Sequence, residues 1–360
     1  MIALDNIIFE LQGVGGVSAV WRAVIEAALR DSDLSGQLRF YDSGRGVTNR
    51  FYPEAMRTAS VIVDDKLPLR LRRYTHVFAR NVDVFHSSYF RVHNSRSVKN
   101  VVTIHDCIYE QFDTGLAKLV HLGQKRHALK RAAAVICVSE HTRQDLFRYY
   151  PWLDPERVRV VHNGVADEFF VSADAPAGGS TGEGAAEPYF LYVGGRGIHK
   201  NFAAALHLLA SRTAKQLNLS LVVVGAQLSP EENRLASQLG VTHRIAVRGG
   251  VDVSELAGLY SGAYFFLFPS LYEGFGIPPL EAMAAGCPVI CTNAASLPEV
   301  VGDAALLFPP KNREAATEQL DKLADSEFRK ALIAKGRTRA REFSWRRTGD
   351  ETVRVYKELS

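Results

Sequence analysis

The residues with the most chemical content lie in LYEGFGIPPLEAMAAG (271–286), where Glu273 and Glu281 are separated by seven residues behind the apolar strand candidate YFFLFPS. Pro278 and Pro279 fit the first turn of a helix, where a missing N–H costs little. We expect Glu281 in that first turn, where its carboxylate, which only accepts hydrogen bonds, suits the vicinal hydroxyls of a ribose. Glu273 would then reach the sugar end of the same ligand. The alternative is an ordinary first-turn acid and a surface glutamate.

A second stretch, YVGGRGIHKNF, places two cations at a predicted strand-to-helix turn. Arg196 and Lys200 stand four residues apart, just before a helix whose free N–H groups favour an anion. The planar guanidinium of Arg196 matches phosphate oxygens, and the ammonium of Lys200 adds a compact charge. The pair therefore indicates a diphosphate site, with two exposed loop cations as the alternative.

A third turn, LQGVGGVSAVW, contains Gly15 and Gly16 but has Ser18 where a dinucleotide fingerprint has its last glycine. Asp42, at the end of LRFYD, comes late for the ribose-binding acid of that fingerprint. We therefore expect a tight turn that lets a ligand approach the backbone, rather than a nicotinamide site. A purely structural turn is the alternative.

The elements that must position these residues alternate between strands and helices, as in parallel α/β proteins. In the first half we expect helices over 17–30 and 116–131 and strands at IALDNII, LRFYD, VDVFHSS, NVVTIHD, AAVICVS and VRVVHNG. In the second half we expect helices over 201–216, 230–239, 253–261 and 278–286, with strands at YFLYVGG, LSLVVVG, RIAVRG, YFFLFPS, PVICTN and ALLF. This pattern predicts two Rossmann-like domains.

The domain boundaries follow from the same alternation. Residues 1–170 are predicted to form the first domain and residues 189–343 the second, with a cleft between them. VSADAPAGGSTGEGAAEP (171–188) is rich in Ala, Gly, Ser and Pro and is predicted to be a flexible linker or insertion. The tail, 344–360, is predicted to be an amphipathic helix that packs back across the first domain.

Composition limits the class of protein. The chain has 360 residues, of which 47% are hydrophobic and 23% charged, a balance typical of globular domains. MIALDNIIFELQ lacks a basic leader region and no apolar run reaches about 18 residues, so we expect neither a signal peptide nor a membrane span, and a cytoplasmic location. The cysteines are expected to be buried thiols of a reducing compartment: Cys107, Cys137, Cys287 and Cys291. We expect no metal site and no nucleic-acid partner.

The formal charge of +4 is concentrated in the N-terminal half, in KLPLRLRRYTHVFAR and KLVHLGQKRHALKR. One interpretation is a solvated helix face. The other is a surface that meets anionic lipid headgroups or an acidic substrate.

EGFGIPPLE resembles the Glu-x7-Glu motif of retaining GT-B glycosyltransferases of family 4. LFPSLYEGFGIPPLEAMAAGCPVI and SLPEVVGDAALLFPP resemble the C-terminal domain of that family, VVHNGV the end of its N-terminal domain, and FSWRRTGDETVRVYKEL its final crossover helix. The resemblance implies a GT-B fold, with two Rossmann-like domains facing across a cleft. It also implies transfer of a sugar from a nucleotide donor with retention of anomeric configuration, by front-face attack and without a metal or other cofactor.

The resemblance also assigns roles to residues at matching positions. Arg196 and Lys200 would bind the donor diphosphate, and Glu281 the ribose hydroxyls. The remaining donor-side positions, which would contact the transferred sugar or border its site, are Glu273 with Gly274, Phe275 and Gly276, the loop at Gly15 and Gly16, His105, Asn163 and, near the base, Val251. The segment from Arg196 to Lys200 is shorter than in several relatives, which leaves Lys200 the less secure of the pair.

The acceptor side is expected near VFHSSYFR, where His86 and Tyr89 follow a strand. Core packing of His86 is the alternative. Asp106 could orient the imidazole of His105 or be simply structural. Together, HSSYF and TIHDCIYE resemble bacterial polysaccharide and O-antigen mannosyl- or rhamnosyltransferases, which implies a GDP-sugar donor, a growing lipid-linked or polysaccharide acceptor, and peripheral contact with the inner membrane through the basic first domain.

Other functions are carried as alternatives. The same fold could use a UDP-sugar, or bind a nucleotide sugar without transferring it. A second enzyme class is a GT-B sugar-phosphate synthase or phosphorylase, of which the phosphorylase would need a pyridoxal-phosphate lysine site that we do not find. A nicotinamide dehydrogenase would need a stronger fingerprint than the first glycine turn.

Overall fold

The computed structural model describes residues 1–13, 15–42, 47–57, 61–63, 68–78, 80–170 and 187–360. The predicted linker at 171–188 lies outside these residues except for its last two positions. The described chain forms two compact units, residues 1–164 with 344–360, and residues 165–343.

The first unit contains a sheet of seven parallel strands in the order β3-β2-β1-β4-β5-β6-β7. The strands are β1 Ile2–Asp5, β2 Leu38–Asp42, β3 Val61–Val63, β4 Val84–Ser87, β5 Lys99–Ile104, β6 Ala132–Cys137 and β7 Val158–Val160. Strands β1 and β4 are buried along their whole length, as expected where a parallel sheet is covered on both faces. Six of the seven were predicted, and β3 was missed.

The helices of the first unit connect these strands: α1 Ile8–Leu11, α2 Gly16–Arg30, α3 Leu69–Arg72, α4 Ile108–Gln111, α5 Gly115–Arg131 and α6 Glu140–Tyr149. Helix α2 buries Val20, Trp21 and Val24 against the sheet. The predicted helices at 17–30 and 116–131 correspond to α2 and α5, each one residue longer at its N-terminus.

The second unit contains six parallel strands in the order β10-β9-β8-β11-β12-β13. They are β8 Tyr189–Val193, β9 Ser220–Val224, β10 Ile245–Arg248, β11 Phe265–Phe268, β12 Val289–Thr292 and β13 Leu306–Phe308. The aromatic rings of Phe190 and Phe265 stack at 4.9 Å between the two central strands. All six strands were predicted.

Eight helices flank this sheet: α7 Ala203–Ala210, α8 Arg212–Gln216, α9 Pro230–Gln238, α10 Val253–Gly262, α11 Ile277–Ala284, α12 Leu297–Val301, α13 Arg313–Lys322 and α14 Ser326–Ala340. The single helix predicted over 201–216 is interrupted at Ser211, which is extended (ψ 158°) and caps α8 by accepting a hydrogen bond from the Ala214 N–H. A serine that caps a new helix stops the preceding one.

The last helix, α15 Trp345–Leu359, belongs to the first unit, as the tail was predicted to do. Gly349 allows a close approach to α2, because a Cβ there would lie 2.6 Å from that of Ala27. The predicted boundary at residue 170 is wrong by six residues, since residues 165–170 belong to the second unit. Phe169 packs edge-on against Tyr260 of α10 at 5.9 Å, and this contact anchors the segment.

In both units the first strand lies between strands two and four of its sheet, so each sheet has a switch point where the crossovers diverge to opposite sides. Loops that leave the carboxyl ends of the two strands there splay apart and create a crevice, which is the usual ligand site of such sheets. None of the described helices is both long and apolar enough to cross a membrane.

Candidate functional site

The switch point of the second unit brings together two predicted site residues that are distant in sequence. Lys200 ends a short 3-10 turn after β8, and Glu273 lies in the loop after β11. The two loops are joined by the Leu271 N–H, which donates to the His199 carbonyl at 2.7 Å. The Lys200 Nζ donates to both carboxylate oxygens of Glu273, at 2.7 and 2.9 Å.

The carboxylate of Glu273 is held from a second side. The hydroxyl of Ser270 donates to its Oε1 at 2.6 Å. The hydroxyl of Ser296, in the next loop, donates to the backbone carbonyls of Glu273 and Phe275 at 3.0 and 2.7 Å. The side chain of Glu273 is only 11% exposed, against 24% for Lys200, so it is not the surface residue of the alternative interpretation. Hydrogen bonds therefore hold Lys200 and Glu273 in place, while both side chains still partly reach solvent.

Arg196 is oriented by an acid that the sequence analysis did not identify. Its Nε donates to both oxygens of Glu232 at 2.9 Å, and its Nη2 donates to the Gln227 carbonyl. Glu232 also closes the capping box of α9, by accepting from the Ser229 N–H at 2.7 Å. Because the guanidinium is 9% exposed and already paired, it is not a freely exposed loop cation.

Glu281 lies one residue deeper in its helix than predicted. Helix α11 begins at Ile277, so Pro278 and Pro279 occupy its first turn and Glu281 its second. The hydroxyl of Tyr260 donates to Glu281 Oε2 at 3.1 Å. Burial, followed by the adjacent carboxylate, raises the pKa of Tyr260 well above its usual value, so the phenol keeps its proton and remains a donor. The expected first-turn position is therefore wrong, because the helix starts at the earlier residue.

The loop between the two glutamates needs glycine at its end. Gly276 caps α11 with φ 102°, a left-handed conformation that side chains rarely adopt. A Cβ there would also lie 2.7 Å from Leu297 Cδ2. Phe275 is buried and packs edge-on against Phe343 at 5.7 Å, while Gly274 precedes it in the same loop. The backbone of this loop is therefore fixed beside the carboxylate of Glu273.

Val251 lies after β10, two residues before α10, and is partly exposed. The preceding Gly250 has φ 70°, so the chain turns sharply there. This loop leaves the carboxyl end of a strand that is two positions from β8 in the sheet.

The switch point of the first unit encloses a small cavity between the sheet, α2 and α15. Its volume of about 10 Å³ corresponds to roughly one water molecule. The polar lining comes from β4 and β5 with the loops that follow them, from the loop after β7 and from α15, and consists of Ser87, Ser88, Thr103, His105, Asn163, Thr348 and Thr352. The Oδ1 of Asn163 is buried and accepts no hydrogen bond from any residue that the structure describes. Burial lowers the pKa of His105 to about 4, so the imidazole is neutral near pH 7.

The glycine turn of the first unit opens α2. Gly15 is the N-cap residue and Gly16 the first residue of the helix. A Cβ at Gly15 would meet only the end of the flexible Gln12 side chain among the described residues, so this contact does not test the predicted tight turn. Val14, between these glycines and Gly13, lies outside the described residues. The carboxylate of Asp42 accepts a hydrogen bond from the Tyr52 hydroxyl at 2.9 Å.

The acceptor role predicted for His86 does not fit its environment. The residue is 1% exposed, and its Nδ1 and Nε2 contact the Tyr356 hydroxyl at 2.6 Å and Thr103 Oγ1 at 3.0 Å. The core alternative is therefore correct, because both nitrogens are used inside the unit. Burial, followed by the charge of His105, lowers the pKa of His86 to about 3.

Tyr89 and Asp106 follow two neighbouring strands of the first sheet, β4 and β5, and make different contacts. The Tyr89 hydroxyl is 3.4 Å from His121 Nδ1 and is partly buried, and burial raises its pKa. Asp106 Oδ1 accepts from the Ile108 N–H at 3.0 Å, which caps α4. The negative charge of Asp106 also raises the pKa of His105, which opposes the larger lowering that burial causes. The structural interpretation of Asp106 is thus supported by its hydrogen bond.

Several supporting residues were missed by the sequence analysis: Ser229, Glu232, Tyr260, Ser270 and Ser296. Only the pair Ser229 and Glu232 had a recognisable signal, the S-x-x-E spacing of a capping box. Within the described part of the chain, no group of three or more His, Cys, Asp or Glu side chains is arranged to hold a metal ion.

Two family profiles match this chain. Residues 24–169 match Glycosyltransferase Family 4, and residues 179–339 match Glycosyl transferases group 1. The second match contains Arg196, Lys200, Glu273 and Glu281.

Several of the curated relatives are named as mannosyltransferases and others as alpha-maltose-1-phosphate synthases. The chain is 45% identical over 112 residues to O-antigen chain mannosyltransferase B of Escherichia coli, which is 31% of this chain and 29% of that protein. It is 32% identical over 243 residues to the MMP alpha-(1->4)-mannosyltransferase of Mycolicibacterium hassiacum, which is 65% of this chain and 56% of that protein. The chain thus spans less than two thirds of the length of either relative.

Among solved structures, sucrose-phosphate synthase from Thermosynechococcus elongatus superposes with a TM-score of 0.73 at 21% identity, over 99% of this chain and 98% of that one. At this identity the likeness concerns the fold, which is GT-B. Together with the two family profiles, it shows that this chain belongs to the GT-B glycosyltransferases of family 4.

Proposed function

We propose that this protein transfers a hexose, with mannose as the first choice and rhamnose as the second, from a GDP-linked donor to a hydroxyl of a growing glycan. The observation that carries the proposal is the contact between Lys200 and Glu273 at the switch point of the second unit. In this proposal the ammonium of Lys200 serves the diphosphate and the carboxylate of Glu273 the sugar, and the contact lies where open α/β sheets bind ligands.

The donor would be divided among the residues around this contact. Lys200 and Arg196 face the diphosphate, Glu281 accepts from the ribose hydroxyls, and Glu273 with the backbone of Gly274–Gly276 meets the hexose. Tyr260 and Glu232 hold two of these side chains in place through the hydrogen bonds described above. The named mannosyltransferases support mannose as the sugar. GDP as the carrier rests on the resemblance of HSSYF and TIHDCIYE alone, and UDP is the alternative.

The proposed reaction breaks the bond between the anomeric carbon and the diphosphate oxygen and forms a bond from that carbon to the acceptor oxygen. Positive charge develops on the sugar, close to the Glu273 carboxylate, and negative charge on the leaving diphosphate, close to Lys200. The leaving oxygen takes the acceptor proton as the new bond forms on the same face, which retains the configuration. Lys200 and Arg196 would stabilise the negative charge of the leaving diphosphate, as a metal ion does in other enzymes. We therefore propose a metal-independent reaction.

The acceptor is proposed to be a lipid-linked or polysaccharide glycan at the cytoplasmic face of the inner membrane, which the basic first unit would meet. His105, whose imidazole is neutral, and Asn163, whose Oδ1 lacks a donor, are suited to uncharged hydroxyl groups. Both would therefore contact sugar rather than phosphate.

A panel of nucleotides and nucleotide sugars, tested by calorimetry with and without a chelator, addresses the donor. We expect GDP and GDP-mannose to bind equally well in both conditions. Tighter binding of UDP would replace the proposed carrier, and loss of binding with chelator would contradict metal independence. Product analysis by NMR should then show a retained anomeric centre. Donor binding without any transfer to glycan acceptors would favour the alternative of a nucleotide-sugar-binding protein.

A further inference from the structure

Lys125, on α5, is a buried cation that the proposed reaction does not use. It is 1% exposed, so its Nζ lies inside the first unit rather than at the surface. Lysine is almost never fully buried unless its charge is paired. Burial lowers the pKa of Lys125, but Cys107 and Glu110 raise it above its ordinary value, so the side chain remains an ammonium ion. A charge in such a place has to be explained by its contacts.

The ammonium group of Lys125 makes two hydrogen bonds to the segment that follows β5. Its Nζ donates to the backbone carbonyl of Asp106 at 2.8 Å and to Oε1 of Glu110 at 2.7 Å. It also lies 3.8 Å from the Sγ of Cys107, the N-cap residue of α4. Lys125 therefore binds the turn that connects β5 to α4, and this turn begins with His105.

Asp106, the residue directly after His105, is held at two of its atoms. Its side-chain Oδ1 accepts a hydrogen bond from the Ile108 N–H at 3.0 Å, and its backbone carbonyl accepts the hydrogen bond from Lys125. The side chain and the backbone of Asp106 are thus both engaged. Together these two hydrogen bonds fix the backbone next to the imidazole of His105.

Glu110, on α4, anchors the ammonium group in turn. Its side chain is 4% exposed, and its Oε1 also accepts a hydrogen bond at 2.8 Å from the hydroxyl of Tyr150, the C-cap residue of α6. A buried ion pair contributes little net stability, because desolvation offsets the attraction, so its main effect is to fix the groups that it joins. Lys125, Glu110 and Tyr150 therefore tie α5, α4 and α6 together next to the turn of His105.

We infer that Lys125 is a positioning residue for His105: its buried ammonium group holds the turn that presents the imidazole to a hydroxyl of the sugar. This inference deepens the proposed function and rests on it for the contact between His105 and the sugar. His105 lines the cavity at the switch point of the first unit together with Asn163, whereas Lys125 is not among the described residues that line it. Lys125 therefore acts through His105 and not on the ligand itself.

The charge of Lys125 supports the same role. Burial is the main cause of the lowered pKa of His105, the carboxylate of Asp106 raises this pKa, and the ammonium group of Lys125 lowers it. The ammonium group thus helps to keep the imidazole neutral. In a neutral imidazole one ring nitrogen donates a hydrogen bond and the other accepts one, which matches the donor and acceptor capacity of a hydroxyl group.

The test measures the affinities of GDP and GDP-mannose by calorimetry on the full chain and its variants. Lys125→Met should weaken GDP-mannose binding about five-fold, the value of one hydrogen bond, and leave GDP affinity unchanged. Lys125→Met combined with Glu110→Gln, which leaves no unpaired carboxylate inside, should behave alike and replaces the single variant if that one folds poorly. Lys118→Met is the matched control and should bind like the wild type. This lysine of α5 also donates to two backbone carbonyls, those of Glu110 and Asp113, but not to the turn of His105.

A double-mutant cycle distinguishes positioning from a general loss of structure. In a His105→Ala background, Lys125→Met should have no further effect on GDP-mannose affinity, because its effect passes through the imidazole. The NMR resonances of the His105 imidazole, which need no nucleotide, should shift in Lys125→Met and stay unchanged in Lys118→Met.

Three results would each overturn the inference: unshifted imidazole resonances in Lys125→Met, an equal loss of GDP and GDP-mannose affinity, or a full effect of Lys125→Met in the absence of His105. If the wild type binds neither nucleotide, the proposed donor fails, and the imidazole resonances alone decide on Lys125.

Discussion

The switch points of the two sheets can be compared directly, because both sheets place their first strand between the second and the fourth. In the second unit the loops carry ions that reach solvent: the side chains of Lys200 and Glu273 are 24% and 11% exposed. In the first unit an ion pair at the ends of β1 and β4, Asp5 with Arg91 at 2.9 Å, is sealed inside the core. The polar side chains that line the cavity of this unit are uncharged near pH 7, including His105.

This difference shows that the strand order determines where a site can form, whereas the side chains of the loops determine its chemistry. A partly exposed ion pair can exchange its partner for a charged ligand, while a buried pair mainly fixes the loops around it. Ser87 donates to the second oxygen of Asp5 at 2.7 Å, which completes that internal network. We therefore expect ionic ligands at the second switch point and hydroxyl-bearing ligands at the first.

The largest effect is expected from Glu273→Gln, which removes the charge but keeps the shape. Turnover should fall about 100-fold or more, because the carboxylate faces the charge that develops on the sugar. Affinity for the nucleoside diphosphate should stay equal or rise, because Lys200 loses its partner. Steady-state kinetics and calorimetry on the same sample check both. Glu231→Gln, an exposed neighbour of Arg234, is the control. Equal losses in turnover and nucleotide affinity would contradict the separate roles.

Lys200→Met keeps the length of the side chain and removes its charge. Nucleoside diphosphate affinity should fall about 10- to 100-fold, the range for losing a charge-assisted hydrogen bond. Nucleoside affinity, measured by the same titration, should hardly change. Lys330→Met on α14 serves as control, since that lysine pairs only with an exposed Glu327. A diphosphate affinity like that of the wild type would remove Lys200 from the phosphate site.

Asn163→Asp places a negative charge at the cavity of the first unit and tests whether this switch point is suited to uncharged groups. At pH 8 we expect the free energy of unfolding to fall by about 1–3 kcal/mol, because a buried carboxylate would lack a donor. The loss should shrink towards pH 5, as the carboxyl or His105 takes up a proton. Urea denaturation at both pH values measures this. Asn312→Asp, a change at the N-cap of α13 that a helix accepts, should leave stability nearly unchanged.

Glu281→Ala should weaken nucleotide binding by about ten-fold, the value of one or two hydrogen bonds from ribose. The wild type should bind 2′-deoxy-GDP less well than GDP, and the variant should bind both alike. Tyr260→Phe, which removes only the donor to Glu281, should have a smaller effect. If the variant still discriminates between the two nucleotides, Glu281 does not read the ribose.

His86 is expected to make the stability of the chain depend on pH. Its pKa is lowered from 6.5 to about 3 in the folded chain, so between these values the unfolded chain binds the proton and the folded chain does not. Stability should therefore be complete above about pH 6.5 and fall by about 1 kcal/mol per pH unit below it. His86→Gln, which can keep bonds to Tyr356 and Thr103, should flatten the curve, leaving the contribution of His105.

Much of this protein was predictable because its signals are local. Alternating apolar runs located all strands except β3, and the prolines before Glu281 indicated the start of α11. A motif specifies which residue types stand near one another in the chain, so Arg196, Lys200, Glu273 and Glu281 were all named in advance. Their partners were not, because Glu232 and Tyr260 come from other loops and helices.

Two expectations failed for the same reason. His86 lies near the end of strand β4, where ligand-binding residues are common, but helix α15 returns over it and its nitrogens contact Tyr356 and Thr103. The boundary at residue 170 was misplaced because Phe169 packs on Tyr260. Both contacts join residues far apart in sequence, and no local pattern encodes them.

Sequence by itself determined the parallel α/β class with two Rossmann-like domains, the glycine and proline positions that the turns require, and the charged residues that we propose for a nucleotide sugar. Tertiary structure alone decided that Lys200 meets Glu273, that Arg196 is fixed by Glu232, and that the first switch point is neutral. The physical reason is that periodicity and turn chemistry act over a few residues. Burial and ion pairing are instead set by whichever distant residues the packed sheets bring into contact.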